Sequence, residues 1–354
     1  MSLKFFKKIF LIVPANLSTG GPEAMHQLAN VLKYDLNKEI KIYYIPNNYQ
    51  NPVHKNYEKY KIDFTDKIED SAENLLIIPE YFTYLSEALK FNNIKKAIWW
   101  LSIDNYFGSR FHFINNKFLR SFYKIPYNFI NYFNKITKFY FGIFTLEDYL
   151  KFLYNLKKLK NFKEIKQAHF HLVQSKYAFE FINKKLLNVN YLSDFISPNL
   201  TFNQKNSKKN KQNIICYNPK KSSEFMKYFI KNTNYKFIPL INMNYKEIIN
   251  TLTKSKVYID LGSHPGKDRL PREAAILGNC VITNKKGSAA NMEDVSIPEE
   301  FKFEENYFNL KNIIKKIEII FHNYENEICK FNNYIKKISK EKEIFKNEIN
   351  NLFQ

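Results

Sequence analysis

Short apolar runs recur along the chain, separated by stretches in which apolar residues return every three or four positions. Residues 8–13, 42–45, 75–78 and 97–101 read as strands, with Pro46 closing the second, and 22–34 and 81–90 read as helices. The strand runs are continuous rather than alternating, which predicts strands covered on both faces, and the strand–helix rhythm predicts a parallel sheet. The rhythm returns at 169–174, with a helix from Lys176, and pauses at 199–213, a polar Lys- and Asn-rich stretch with the composition of a linker. It then resumes with strands at 214–217, 236–240, 256–261 and 280–283 and helices at 222–231, 245–253 and 271–277, the last ended by Gly278.

This pattern predicts an α/β protein with two Rossmann-like units, 1–198 and 214–335, joined by the linker and followed by a C-terminal helix at 336–354. Residues 307–353 are helical in pattern, heavily charged and free of repeats. One excursion breaks the rhythm: residues 106–160 are densely aromatic and carry ten Lys/Arg against two acids, Glu147 and Asp148. Two readings of it stay open. Its aromatics pack onto the N-terminal unit, or they dock on an anionic membrane surface with Lys117, Arg120 and Lys124.

The formal charge of +21 raises nucleic acid or an anionic membrane as partner. Lys, Asn, Ile, Phe and Tyr are all abundant while Gly, Ala and Arg are scarce, the mark of genome-wide codon bias. Lysines recruited that way sit mostly on solvated faces. Lys4, Lys7 and Lys8 ahead of residues 9–13 resemble a signal peptide, but that apolar run is too short and leads straight into a glycine turn, so a buried first strand is expected. No apolar stretch approaches the roughly 20 residues of a membrane span. Cys216, Cys280 and Cys329 are scattered, with neither disulfide nor zinc spacing. A cytoplasmic setting is expected.

Chemistry concentrates in residues 260–273, DLGSHPGKDRLPRE, which leave a buried-type strand and enter a short helix at Pro271. A loop at the carboxyl end of a parallel strand that feeds a helix offers unpaired N–H groups and a positive dipole end to an anion. Gly266 allows the turn, and Lys267, Arg269 and Arg272 add cationic donors, so the segment is expected to bind a diphosphate. The plain alternative is a glycine-containing connection with surface basics; His264, Asp268 and Glu273 in the same short stretch weigh against it.

Residues 271–283, PREAAILGNCVIT, resemble the donor-site helix and following strand of retaining GT-B glycosyltransferases, the large family that includes sucrose and lipopolysaccharide glycosyltransferases. The resemblance implies the GT-B fold, two Rossmann-like domains facing each other across a cleft. In that family two glutamates separated by seven residues flank a glycine-rich loop, the second bonding the donor ribose. Glu273 matches the second, whereas the first falls on Pro265, leaving His264 and Asp268 beside it. Residues 19–32, TGGPEAMHQLANVL, are similar to the family's glycine pair after the first strand: Gly20 and Gly21 would admit donor and acceptor close to the backbone, with Glu23 nearby. Residues 218–222, NPKKS, stand where the family places a basic residue on the donor phosphates, which points to Lys220 and Lys221.

On the N-terminal half, Glu80, Asp104 and Asn105 end strands and are candidates for the acceptor side, with Asp104 orienting an acceptor hydroxyl; a helix cap or loop hydrogen bond is the alternative. His169 and His171 bracket a strand and read as structural. No D-x-D occurs, so the expected site is metal-free, neutralised by Lys, Arg and a helix dipole. The resemblance implies glycosyl transfer from a UDP- or GDP-sugar, with no other cofactor, to a glycan or lipid-linked acceptor of a bacterial surface glycan (capsule, lipooligosaccharide or O-antigen), at the inner face of the cytoplasmic membrane. His264, Lys267, Arg272 and Asp104 are the catalytic candidates. Two alternatives remain: a nucleic-acid-binding protein using basic and aromatic surfaces, and an inactive GT-B-fold partner subunit, given Pro265.

Overall fold

The computed structural model describes residues 3–112, 125, 127–129, 132, 159–186, 188–196, 200, 211–221 and 224–354. Lys117, Arg120 and Lys124, and most of the expected linker 199–213, lie outside the described residues. The chain forms two compact units. The first takes in Met1–Tyr127, Thr145–Phe195 and Lys342–Gln354, the second Asn128–Phe144 and Ile196–Glu341.

The first unit is built on β1 (Lys8–Pro14), β2 (Glu39–Ile45), β3 (Phe64–Thr65), β4 (Leu75–Pro79), β5 (Lys95–Trp100), β6 (Phe170–Val173) and β7 (Val189–Tyr191). They make one parallel sheet in the order β3-β2-β1-β4-β5-β6-β7. Strand side chains alternate between faces, and both faces are covered here, so each central strand is apolar throughout. In β1, Ile9, Leu11 and Val13 enter one core with Met25 and Leu28 of the helix Gly20–Asn30. Phe10 and Ile12 enter the other with Leu85 of Phe82–Ala88, Tyr106 and Phe107 of Ile103–His112, and Ile182 of Lys176–Asn183. Each side chain so buried stabilises the fold by about 1.5–3 kcal/mol. The helix expected at 22–34 starts earlier and ends as a π-helical turn, Val31–Asp35.

The C-terminal helix Glu341–Phe353 carries Phe345, Ile349, Leu352 and Phe353 at helical spacing, and all four are buried in the first of these cores. Glu348 accepts hydrogen bonds from the backbone N–H and hydroxyl of Ser193, each at 2.7 Å. Of residues 336–354, expected as a separate C-terminal helix, those from 342 onward belong to the first unit.

The second unit contains β8 (Gln212–Tyr217), β9 (Lys236–Pro239), β10 (Ser255–Asp260), β11 (Cys280–Asn284) and β12 (Lys302–Phe303), parallel in the order β12-β11-β10-β8-β9. Val257 sits level with Ile215 and Cys280, so three fully buried side chains of neighbouring strands share one layer. Helices Glu224–Lys231, Tyr245–Lys254, Arg269–Ile276 and Leu310–His322 cover it. Asn244 and Glu247 form a capping box at the start of the second of these. The helix expected to begin at Pro271 begins at Arg269, so Pro271 is its third residue, still within the first turn where N–H groups lack intrahelical partners. Its end closes as a Schellman turn, Gly278 N–H to Ala275 O at 3.0 Å and Asn279 N–H to Ala274 O at 2.9 Å. Cys216, Cys280 and Cys329 are free. Among the described residues no helix is long and apolar enough to cross a membrane.

Candidate functional site

In the second sheet the strand order reverses between β8 and β10. Open parallel sheets bind ligands beyond the carboxyl ends of their strands at such a reversal. Two of the segments singled out from sequence leave the sheet there: 218–221 from β8 and 261–268 from β10.

These loops touch backbone to backbone. A Cβ on Gly262 would lie 2.2 Å from the carbonyl oxygen of Lys221, a distance no side chain tolerates. The loop after β11 closes from the other side. Gly287 has φ +55° and a Cβ there would lie 2.1 Å from the His264 carbonyl oxygen. Ser288 N–H donates to that same oxygen at 2.9 Å, the Ser288 hydroxyl donates to Gly266 O at 2.5 Å, and the Asn284 amide donates to the Leu261 and Gly262 carbonyls. Three strand ends are thus laced into one rigid mouth.

A charged network lies beneath it. His264 is buried; its Nε2 is 3.1 Å from Asp260 O and its Nδ1 is 2.9 Å from Asp268 Oδ2. The same Asp268 oxygen is 2.5 Å from Lys221 Nζ. Asp260 accepts from the Tyr258 hydroxyl at 3.1 Å. Burial alone would lower the His264 pKa, but Asp260 and Asp268 raise it and favour the imidazolium. Burial alone would likewise raise Asp268, yet Lys221 and His264 hold it at about 2. His264 therefore turns Nδ1 to the Asp268 carboxylate and Nε2 to the Asp260 main-chain carbonyl, and acts on the loop through Asp268.

The remaining cations of the loop also meet carboxylates. Lys267 Nζ is 2.8 Å from Glu341 Oε1, and Arg272 Nη1 is 2.7 Å from Glu341 Oε2. Arg272 also donates to Lys267 O at 2.8 Å and Asp268 O at 3.1 Å. Arg272, a cationic donor to the diphosphate by sequence, is 1% exposed and holds the loop through these bonds. Arg269 faces Glu273 at 3.8 Å, and Glu273 accepts from the Tyr245 hydroxyl at 3.4 Å. Lys220 is exposed, its backbone N–H donating to Asn218 Oδ1. The structure thus brings together Lys221, His264, Gly266, Lys267, Asp268, Arg269, Arg272 and Glu273.

In the first unit the order reverses between β1 and β4. Gly20, Gly21 and Glu23 follow β1, Glu80 follows β4, and Asp104 and Asn105 follow β5. A Cβ on Gly21 would meet Leu101 at 3.6 Å, an ordinary contact. Glu80 is buried and accepts from Leu101 N–H at 3.0 Å, with the Asn105 side chain also bonded to it; burial pushes its pKa up to about 8 against those bonds. Asp104 accepts from the Tyr177 hydroxyl at 3.3 Å. Glu23 accepts from the Tyr60 hydroxyl at 2.7 Å. His171 is buried and accepts from Trp100 Nε1 at 3.2 Å, with burial lowering its pKa to about 4, the behaviour of a structural histidine.

Sequence reasoning missed His26, which stacks on Tyr57 with ring centroids 4.2 Å apart and hydrogen-bonds Pro22 O and the Tyr44 hydroxyl, bracing the first turn after the glycine pair. The four-residue step from Pro22 to His26 on one helix face was the available signal. It also missed Glu341, Asn284 and Ser288, for which the sequence held no local sign.

No protein-family model matches the chain, and no curated protein sequence matches it. Solved structures do. Anabaena HepE in complex with UDP is 10% identical, covers 98% of both chains and has a TM-score of 0.57. The same protein with UDP-glucose is 11% identical over 97% of this chain and 98% of that one, TM-score 0.57. Sucrose-phosphate synthase from Thermosynechococcus elongatus is 10% identical over 98% of this chain and 95% of that one, TM-score 0.55. What is shared at such identities is the fold, and the chain has the GT-B fold of two Rossmann-like α/β units.

Proposed function

We propose that the protein is a glycosyltransferase whose second unit holds the diphosphate of a nucleotide sugar at the β8–β10 reversal. The observation that carries this reading is the gathering of Lys221, Lys267 and Arg269 at one strand-end mouth, at the start of the helix Arg269–Ile276. Glu273, one turn into that helix, would take the ribose hydroxyls. HepE, of the same fold, was crystallised with UDP and with UDP-glucose, which favours a uridine nucleotide over a guanosine one. Catalysis would rest on stabilising the departing diphosphate by Lys221 and Lys267 and on positioning the acceptor, without a metal and with retention at the anomeric carbon. Glu80, Asn105 and Asp104 at the reversal of the first unit are the acceptor-side groups. The acceptor is a bacterial surface glycan or its lipid-linked precursor, met at the inner face of the membrane.

Calorimetric titration with UDP and GDP, with and without EDTA, tests the donor site: binding is expected in both conditions, and an absolute metal requirement would remove the metal-free reading. Release of UDP or GDP from a panel of nucleotide sugars then tests activity. Nucleotide binding without turnover on any sugar would identify an inactive partner subunit. Nucleic-acid binding with no response to nucleotides would overturn the assignment.

A further inference from the structure

Glu341 is the first residue of the C-terminal helix, and at 341/342 the chain passes from the second unit to the first. Its side chain is 4% exposed, and each carboxylate oxygen has its own cation, Oε1 with Lys267 and Oε2 with Arg272. Two cations thus meet on one carboxylate. The two cations are not equivalent. The Arg272 guanidinium keeps its charge at any accessible pH, is almost fully buried, and fastens the carbonyls of Lys267 and Asp268, the two residues ahead of the helix Arg269–Ile276. Lys267 carries its ammonium on a flexible stem with 11% of the side chain exposed. An anion entering the mouth can draw the ammonium away from Glu341, whereas the guanidinium stays to hold the backbone.

We propose that Glu341 is a positioning residue of the donor loop, anchoring Arg272 with one oxygen while holding Lys267 with the other until a nucleotide diphosphate takes it. This rests on the reading that the β8–β10 mouth binds a nucleotide diphosphate. It makes Glu341 a competitor for Lys267 as well as a support, and the two roles separate experimentally. Glu341→Gln keeps the shape and removes the charge. With its competitor neutralised, UDP binds about threefold to tenfold more tightly. With its anchor weakened the loop is less fixed, and kcat on the nucleotide sugar falls about tenfold. KM and kcat therefore fall together. Glu341→Asp, which restores the charge, returns the UDP affinity toward that of the wild type. A merely structural carboxylate predicts instead an unchanged or weaker affinity.

Isothermal titration of UDP into wild type, E341Q, E341D and K267Q, with a thermal melt of each, decides the matter. K267Q supplies an answer even where E341Q does not fold: Tm close to wild type with UDP affinity lowered tenfold or more supports the proposal. A lowered Tm with unchanged UDP affinity overturns it. E341Q that folds and binds UDP no more tightly than wild type also overturns it, while leaving the nucleotide site in place. Absence of UDP and GDP binding by the wild type overturns the nucleotide site and this proposal together.

Discussion

Gly287 stands in the left-handed region at φ +55°, and any side chain there would run into the His264 carbonyl, which is itself hydrogen-bonded to Ser288 N–H. Both strains act on the same loop. Gly287→Ala is therefore expected to cost on the order of 2–4 kcal/mol and to weaken UDP binding by displacing the loop after β10. Denaturant titration and calorimetry read the two effects. A second prediction at this scale concerns Glu80. Its folded pKa of about 8 lies above the ordinary value of 4.5, so over that window the native state holds a proton that the unfolded chain has released. The stabilisation is fully present below 4.5 and is lost as pH rises through 8. His26 and His171, both lowered by burial to about 4, act oppositely: their contribution is present above 6.5 and lost as pH falls toward 4. The difference between wild type and Glu80→Gln cancels the histidines. Melting followed by the fluorescence of Trp99 and Trp100, both buried in the first unit, should show that the variant loses less stability than wild type between about pH 5 and pH 9. The difference is on the order of a few kcal/mol.

Whole elements depend on single side chains as well. Lys211 Nζ donates to Leu252 O at 2.9 Å, Ser255 O at 2.8 Å and Leu277 O at 2.7 Å, joining the end of the helix Tyr245–Lys254, the start of β10 and the end of the helix Arg269–Ile276. Burial lowers its pKa to about 7. Lys211→Met would remove one donor from each of three carbonyls, of which Leu252 O keeps the Ser255 N–H and Ser255 O keeps the Asn279 amide, and is expected to destabilise the second unit by about 1–3 kcal/mol. Circular dichroism, which reports both units, should show the loss, while tryptophan fluorescence, which reports the first, shifts less. None of this was legible beforehand: Lys211 sits among the lysines of a linker-like stretch, and what its ammonium meets is set by elements far along the chain. The central strands were legible because both their faces are covered, as Phe10 and Leu11 show by entering opposite cores. The edge strands β3, β7 and β12 were not, since two or three residues carry too little pattern. For the site, the loop and its cations could be read from spacing and from their place after a strand. Their pairing could not, because Glu341 lies 69 residues beyond Arg272.

At the scale of the molecule, the +21 charge and the aromatic excursion 106–160 bear on where the protein works. The described part of the excursion divides. Tyr106, Phe107, Phe111 and Leu159 are buried in the core of the first unit, as internal packing predicts. Ile125, Phe129 and Tyr132 are 64%, 68% and 65% exposed, at helical spacing, as surface docking predicts. Such residues can enter the headgroup boundary of a bilayer while nearby cations meet anionic lipid, each basic residue adding about 1 kcal/mol close to the surface. The sequence supplies those cations at Lys117, Arg120 and Lys124. Co-sedimentation with vesicles of phosphatidylcholine, with and without phosphatidylglycerol, should then show binding that requires the anionic lipid and weakens as salt is raised, since charges farther apart than about 8–10 Å are screened at physiological ionic strength. Replacing Ile125, Phe129 and Tyr132 by Ser should reduce binding without lowering Tm, because exposed side chains contribute little to the fold. Neutralising Lys117, Arg120 and Lys124 should reduce both the binding and its salt dependence. Equal partitioning onto neutral and anionic vesicles, or none onto either, would assign the excursion to packing alone and point to an acceptor that is free in solution.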